Sequence, residues 1–234
     1  DALPISQLMR RFFLLEIPDQ ETFHLPEEES KHLVRVLRQE NGDQFLLLDG
    51  KGVILTAEIV DAHPKKCLVK VVSKELRQRA GTGFHLVIAP TKNLDRMEWM
   101  VEKIVEIGAT KLTFIQCERS ERVQLKLDRL QRVAVSAMKQ AQHDFLLEIE
   151  PLCNFSDFVS AHPGGGIAHC METDRKSVGE LADHSRILIG PEGDFSEKEV
   201  QLALKHGYEA VHLGTARLRT ETAGMVACVL AINT

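Results

Sequence analysis

Two periodicities divide the chain. Up to about residue 74 the apolar positions come in short runs closed by tight turns. Gln44-Phe45-Leu46-Leu47-Leu48 and Val53-Ile54-Leu55-Thr56-Ala57-Glu58-Ile59 flank Asp49-Gly50-Lys51-Gly52. Turn residues that accept positive φ, set between two apolar runs, predict a β-hairpin. Cys67-Leu68-Val69-Lys70-Val71-Val72 predicts another strand. Between Pro26 and Arg38 an apolar stripe of Leu33, Val34 and Leu37 predicts one short helix, with Arg35 and Arg38 projecting together three positions apart. Short strands joined by tight turns predict a small β-barrel over residues 9–74. The polar, glycine-containing stretch 75–83 is expected to be a linker.

From Phe84 the pattern changes to strands alternating with helices. Apolar runs at 85–89, 111–115, 167–171, 186–189 and 211–213 predict buried strands. Met97, Met100, Val101, Ile104 and Val105 mark one face of a helix over 95–107 that Gly108 stops. A second helix is expected over 125–142. Ser196 and Glu199 form a capping box opening a third to His206, and Thr220 is expected to cap a fourth through Ile232. Gly164-Gly165-Gly166 reads as a flexible turn. The fold class is therefore α/β with an N-terminal β-barrel, residues 84–234 forming a mostly parallel sheet covered by helices on both faces.

Composition narrows the class without deciding it. Apolar residues make up 44% and charged residues 27%, ordinary for a globular protein. No apolar run reaches the roughly 20 residues that cross a bilayer, so no membrane partner is expected. The five cysteines are widely spaced with no CxxC pair, which points to reduced, mostly buried thiols, a cytoplasmic location and no metal site. Met9 is expected as the native start, residues 1–8 being foreign leader. The net charge of −5 does not advertise nucleic-acid binding, yet Arg10, Arg11, Lys31, Arg35 and Arg38 cluster near the N-terminus.

The candidate chemistry lies in two glycine-bearing loops near the C-terminus. Each follows a strand run and opens a helix: Gly190-Pro191-Glu192-Gly193-Asp194 and Gly214-Thr215-Ala216-Arg217-Leu218-Arg219. Ligands of open α/β sheets sit beyond the carboxyl ends of strands, where such loops offer free N–H groups. The P-loop and dinucleotide fingerprints are both absent. Arginines 217 and 219 beside a helix N-terminus suit a phosphate or a developing anion. Glu221 in the first helical turn also reads as a partner of the helix dipole.

Ile189-Gly190-Pro191-Glu192-Gly193, Leu213-Gly214 and Leu218-Arg219-Thr220-Glu221-Thr222-Ala223 together resemble the RsmE family of SPOUT methyltransferases. The resemblance extends to Arg11-Phe12-Phe13, Val34-Arg35-Val36-Leu37-Arg38, Lys92, Asp95-Arg96-Met97-Glu98 and Glu118-Arg119-Ser120. It implies a PUA-like barrel followed by a trefoil-knotted SPOUT domain, assembled as a homodimer. It implies methylation of N3 of a uridine in 16S ribosomal RNA of the small subunit, with S-adenosylmethionine as cofactor. Leu188, Ile189, Gly190, Pro191, Gly193, Leu213, Gly214, Leu218 and Thr220 are then the expected cofactor contacts. Arg10, Arg11, Arg35, Arg38, Lys92, Arg96 and Arg119 are the expected RNA contacts.

Methyl transfer needs in-line positioning and a deprotonated nitrogen on a base drawn out of its RNA context. Arg219 is expected to stabilise the anion that develops on the uracil, with Glu221 or water taking the proton. The chain departs from the family in three places, the minor one being Ala216, where a large aliphatic residue is commoner. Asp194 stands where a second glycine is usual, and Lys139-Gln140-Ala141-Gln142-His143 lacks an expected arginine. A SPOUT enzyme acting on another RNA base, or a non-catalytic ribosome-assembly protein, are the rival readings.

Overall fold

The computed structural model describes residues 9–79, 81, 83–121, 124–172 and 174–233; the expected leader, residues 1–8, lies outside them. The chain separates into two compact units. One holds residues up to Arg79 together with Gln142–Phe145, and the other holds the remainder.

The first unit is a five-stranded sheet in the order β1-β3-β4-β5-β2. Its strands are β1 (Arg11–Phe13), β2 (Thr22–His24), β3 (Gln44–Leu48), β4 (Val53–Asp61) and β5 (Leu68–Leu76). The expected hairpin joins β3 and β4, with Leu47 opposite Leu55 and Phe45 opposite Ala57. Asp49 holds the turn, its Oδ1 accepting from the amides of Lys51 at 2.7 Å and Val53 at 3.0 Å. Alternate positions (Phe45, Leu47, Leu55, Ala57, Ile59 and Val69) point into one core with Phe12 and Leu33. Strand β5 runs to Leu76, past the point where its apolar pattern ends, because its later residues still pair with Val53–Thr56 of β4.

The segment between Pro26 and Arg38 is not one regular helix. A short α1 (Glu27–Lys31) widens into a π turn at His32–Val36, in which the Leu37 amide bonds to the His32 carbonyl. Arg38 then takes φ +55°. The wider turn and the left-handed residue remove Arg35 and Arg38 from the shared helical face expected of them. The π turn seats Leu33 wholly in the core, while Ser30 Oγ bonds to the Leu25 carbonyl and the Cys67 amide, both at 3.1 Å.

The second unit is a seven-stranded sheet in which every ladder is parallel, ordered β10-β12-β9-β11-β6-β7-β8. The strands are β6 (His85–Ile88), β7 (Lys111–Gln116), β8 (Glu148–Asn154), β9 (Gly165–Ala168), β10 (Lys176–Ser177), β11 (Arg186–Ile189) and β12 (Tyr208–His212). Helices α2 (Leu94–Ile107), α3 (Leu127–Ala141), α4 (Phe155–Ala161), α5 (Glu197–Lys205) and α6 (Thr220–Ile232) cover it. On one face Phe155, Phe158, Val200 and Ala203 pack on Val87, Ile115 and Leu188. On the other, Gly224 of α6 brings its backbone so close that an added Cβ would meet Ile88, Met100 and Leu86 at 3.0–3.2 Å. Central strands buried on both faces explain the unbroken apolar runs of the sequence.

Three local expectations need correction. Gly165 and Gly166 lie in β9 rather than in a flexible turn. Gly165 has φ +112°, and a Cβ there would come within 2.6 Å of the Arg186 carbonyl, so strand pairing itself requires glycine. Strand β8 and helix α4 went unread, because Pro151 interrupts the apolar pattern. An edge strand tolerates it, at the point where the β7–β8 register shifts. Thr220 opens α6 without capping it: the N-cap is Arg219, with no side-chain cap bond. At the amino ends of the strands, His85 Nε2 lies 2.7 Å from Thr113 Oγ1, which bonds to Glu150 at 2.7 Å. Burial, and then the charges of Arg186 and Lys111, lower the His85 pKa to about 3.

Candidate active site

Strand β11 is inserted between β9 and β6, so successive strands run to opposite sides of β6. Sheets of this kind bind ligands at the carboxyl ends of strands where the order reverses. A cavity of about 480 Å³ lies there, walled by Ile189, Gly190 and Pro191 at the end of β11, by Ala168 and Cys170 at the end of β9, and by residues 217–221. The two glycine-bearing loops thus meet on one cavity, and Thr220 Oγ1 joins them by donating to the Gly190 carbonyl at 3.4 Å.

The first loop is held from several sides. Gly190 and Gly193 do not use positive φ; they serve close packing. A Cβ at Gly190 would stand 3.1 Å from the Phe195 amide nitrogen and ring, and one at Gly193 would stand 3.3 Å from Arg119 Cβ. The left-handed residue is Asp194, at φ +63°, at the position where the sequence resemblance led to the expectation of glycine. Asp tolerates that conformation better than most residues, and its carboxylate is used. It accepts from the Cys170 amide and from its neighbour Phe195, both at 2.8 Å, tying the loop after β11 to the end of β9.

Arg119 braces the same loop, donating to the carbonyls of Gly193 at 3.0 Å and Phe195 at 3.3 Å. The capping box forms as expected, and Glu199 does double duty. One oxygen accepts from Ser196, the other from the Glu118 amide, each at 2.8 Å.

Of the expected cofactor contacts, Ile189, Gly190, Pro191, Leu218 and Thr220 line the cavity. Leu188 is wholly buried in the sheet behind it, Gly193 packs on Arg119, and Leu213 and Gly214 lie in the turn beyond β12, Gly214 at φ +125°. Arg219 and Glu221 both line the cavity, Arg219 exposed at the rim and Glu221 only 6% exposed.

Of the expected RNA contacts, Arg119 is the brace of the first loop, and the other six separate into three groups. Arg10, Arg35 and Arg38 are exposed on the first unit. Arg96 belongs to the cavity wall, its Nε 3.7 Å from a Glu221 oxygen, while Lys92 pairs with Glu121 at 3.2 Å. Arg11 is largely buried and donates to Asp144, which also pairs with Arg77 at 2.5 Å. Arg11 is thus an internal ion pair of the first unit, whereas its neighbour Arg10 is free to meet solvent. Sequence reasoning missed Ala168 and Cys170 as wall residues, because the apolar run there showed no strand end.

The cysteines follow their burial. Desolvation raises the Cys67 thiol to about 11 and pushes the Cys117 and Cys228 thiols further up, whereas Cys170 is exposed.

Residues 79–232 match the model of an RNA methyltransferase domain, and residues 25–72 match that of an RNA methyltransferase PUA domain. The chain belongs to the RNA methyltransferase family. Among solved structures it resembles a probable rRNA-methyltransferase from Porphyromonas gingivalis, 38% identical with a TM-score of 0.88, over 97% of this chain and all of that one. It also resembles the ribosomal RNA small subunit methyltransferase E of Neisseria gonorrhoeae bound to S-adenosyl methionine, 27% identical with a TM-score of 0.81, over 94% and 95% of the two chains. The Bacillus subtilis protein of the same name is 26% identical across 94% of each chain. These matches bear out the RsmE resemblance and the combination of a PUA-like domain with a SPOUT methyltransferase fold. The methyltransferase domain contains the whole cavity.

Proposed function

We propose that the protein transfers a methyl group from S-adenosylmethionine to N3 of a uridine in 16S ribosomal RNA of the small subunit. The observation that carries this reading is the single cavity formed by both glycine-bearing loops, with Arg219 at its rim, inside a methyltransferase domain. Its volume falls within the roughly 300–1,000 Å³ of small-molecule sites. The wall fits the cofactor chemically: Ile189, Pro191 and Leu218 offer apolar surface to an adenine ring, and Glu221 offers a buried negative charge. Bound there, the cofactor supplies an activated methyl group.

The chain's own residues do the rest. The packed loop around Gly190 and Asp194 fixes the donor so that only an in-line approach remains open. Arg219, held at the N-cap of α6, places its guanidinium where the uracil carbonyls carry the developing negative charge, and the N3 proton leaves to water at the rim. Arg10, Arg35 and Arg38 hold RNA phosphates, as exposed cations on a PUA-like surface do. Trp99, Val229, Leu230 and Ile232 expose apolar surface on α2 and α6, which supports a homodimer through this domain. A cytoplasmic location is part of the same reading, since ribosomal RNA and free thiols both belong there. Among the described residues, no helix is long and apolar enough to cross a membrane.

The test is methyl transfer from labelled S-adenosylmethionine to small ribosomal subunits from cells lacking this protein, followed by nucleoside analysis. Label in N3-methyluridine is the expected result. Label in another nucleoside would move the activity to a different base, and no label would remove the catalytic reading.

A further inference from the structure

Glu221 is an anomaly in its own surroundings. Three carboxylates line the cavity. Glu192 is exposed to water, and Asp194 accepts from two amides. Glu221 is buried, with one oxygen 3.7 Å from Arg96 and the other, Oε2, buried without a hydrogen-bond partner among the described residues. A buried charged oxygen left without a donor is costly, and such a cost persists where a ligand removes it. The remaining charges of the wall are the guanidiniums of Arg96, Arg217 and Arg219. They repel cations, so Glu221 is the one buried place in the wall where positive charge on a ligand is favoured.

We propose that Glu221 is the countercharge of the cofactor's sulfonium and makes the site prefer the charged methyl donor over its neutral thioether product. The inference rests on the cofactor reading above and deepens it. Glu221 lies two positions from Arg219, the residue assigned to the uracil anion. The methyl carbon on the sulfonium must come within bond-forming distance of that uracil nitrogen, so the sulfonium is the cationic part of the cofactor nearest this pair. In the transfer the sulfur–methyl bond breaks and its electron pair returns to sulfur. The deprotonated N3 supplies the pair for the new carbon–nitrogen bond, its proton having gone to water. Sulfur ends neutral, Glu221 loses its partner, and the spent cofactor is held less tightly than a fresh one.

Calorimetric binding of S-adenosylmethionine and S-adenosylhomocysteine to the full chain and to Glu221→Gln tests this, with thermal unfolding as the folding control. The full chain is expected to bind the methyl donor about tenfold tighter, roughly 1.4 kcal/mol. Glu221→Gln is expected to bind the thioether within about twofold of the parent chain and to lose the preference. An unchanged preference, or an equal loss for both ligands, overturns the proposal. Sinefungin decides the matter on the unmutated chain should the variant not fold. It carries an amine at the methyl position and is expected to bind tighter than the thioether; equal binding overturns the proposal. A parent chain that binds none of the three refutes the cofactor reading itself.

Discussion

Asp194→Gly supplies the glycine expected from the sequence resemblance, and the structure predicts that the change destabilises this chain. The glycine relieves a left-handed residue at φ +63°, which for Asp is worth up to about 1 kcal/mol. Added backbone freedom in the unfolded chain cancels roughly 0.5–1 kcal/mol of that relief. What is lost is the carboxylate that joins the Cys170 and Phe195 amides at 2.8 Å. Each of these bonds sits at a partly exposed site, so about 1 kcal/mol apiece is appropriate rather than the upper range for charged acceptors. The net is a loss of about 2 kcal/mol for Asp194→Gly. Asp194→Ala loses both bonds and, tolerating the left-handed conformation less well than Asp, adds about 1 kcal/mol of strain, for about 3 kcal/mol. In a chain of this size the glycine variant melts about 4–8 °C lower. The lone tryptophan, Trp99, lies in α2 of the methyltransferase domain, so its fluorescence in urea follows the unit concerned. Because Asp194 lines the cavity, affinity for S-adenosylmethionine should weaken alongside stability. A glycine variant as stable as the parent would refute the reasoning, since the carboxylate would then do no more than occupy a strained position.

Three further outcomes follow from the same geometry. Arg219→Ala should lower methyl transfer by about 10²–10³-fold while cofactor affinity stays within a few-fold; near-normal turnover removes Arg219 from the mechanism. Asp144→Ala leaves Arg11 and Arg77 without their shared carboxylate and should cost the first unit about 1–3 kcal/mol in urea, and an unchanged midpoint would show both pairs to be idle. His85, held near pKa 3 in the fold against about 6.5 when unfolded, contributes stability that is complete above pH 6.5. That stability drains as pH falls toward 3, by up to about 1.4 kcal/mol per pH unit, because only the unfolded chain takes up the proton. His85→Gln should therefore flatten the stability profile between pH 6.5 and 4, and a parallel profile would deny His85 that role.

The sequence by itself determined the elements whose signals are local. Periodicity placed the buried face of α2 on Met97, Met100, Val101, Ile104 and Val105, all of which are buried, because helical spacing and burial are the same fact seen twice. Turn chemistry placed the β3–β4 hairpin, and the spacing of Ser196 and Glu199 placed the start of α5, since each depends on groups a few residues apart. The glycine and arginine motifs placed the candidate site on two loops, and residues of both line one cavity. Tertiary structure decided what depends on contacts distant in sequence. Gly165 looked like a turn because its constraint is a carbonyl 21 positions away, at Arg186. Arg11 looked like a nucleic-acid contact until Asp144, far along the chain, was found against it. Arg96 and Glu221 became neighbours only when α2 and α6 packed on the same face of the sheet. The unpaired oxygen of Glu221 has no trace in the sequence, because the absence of a partner is a property of every residue that surrounds a group once the chain has folded.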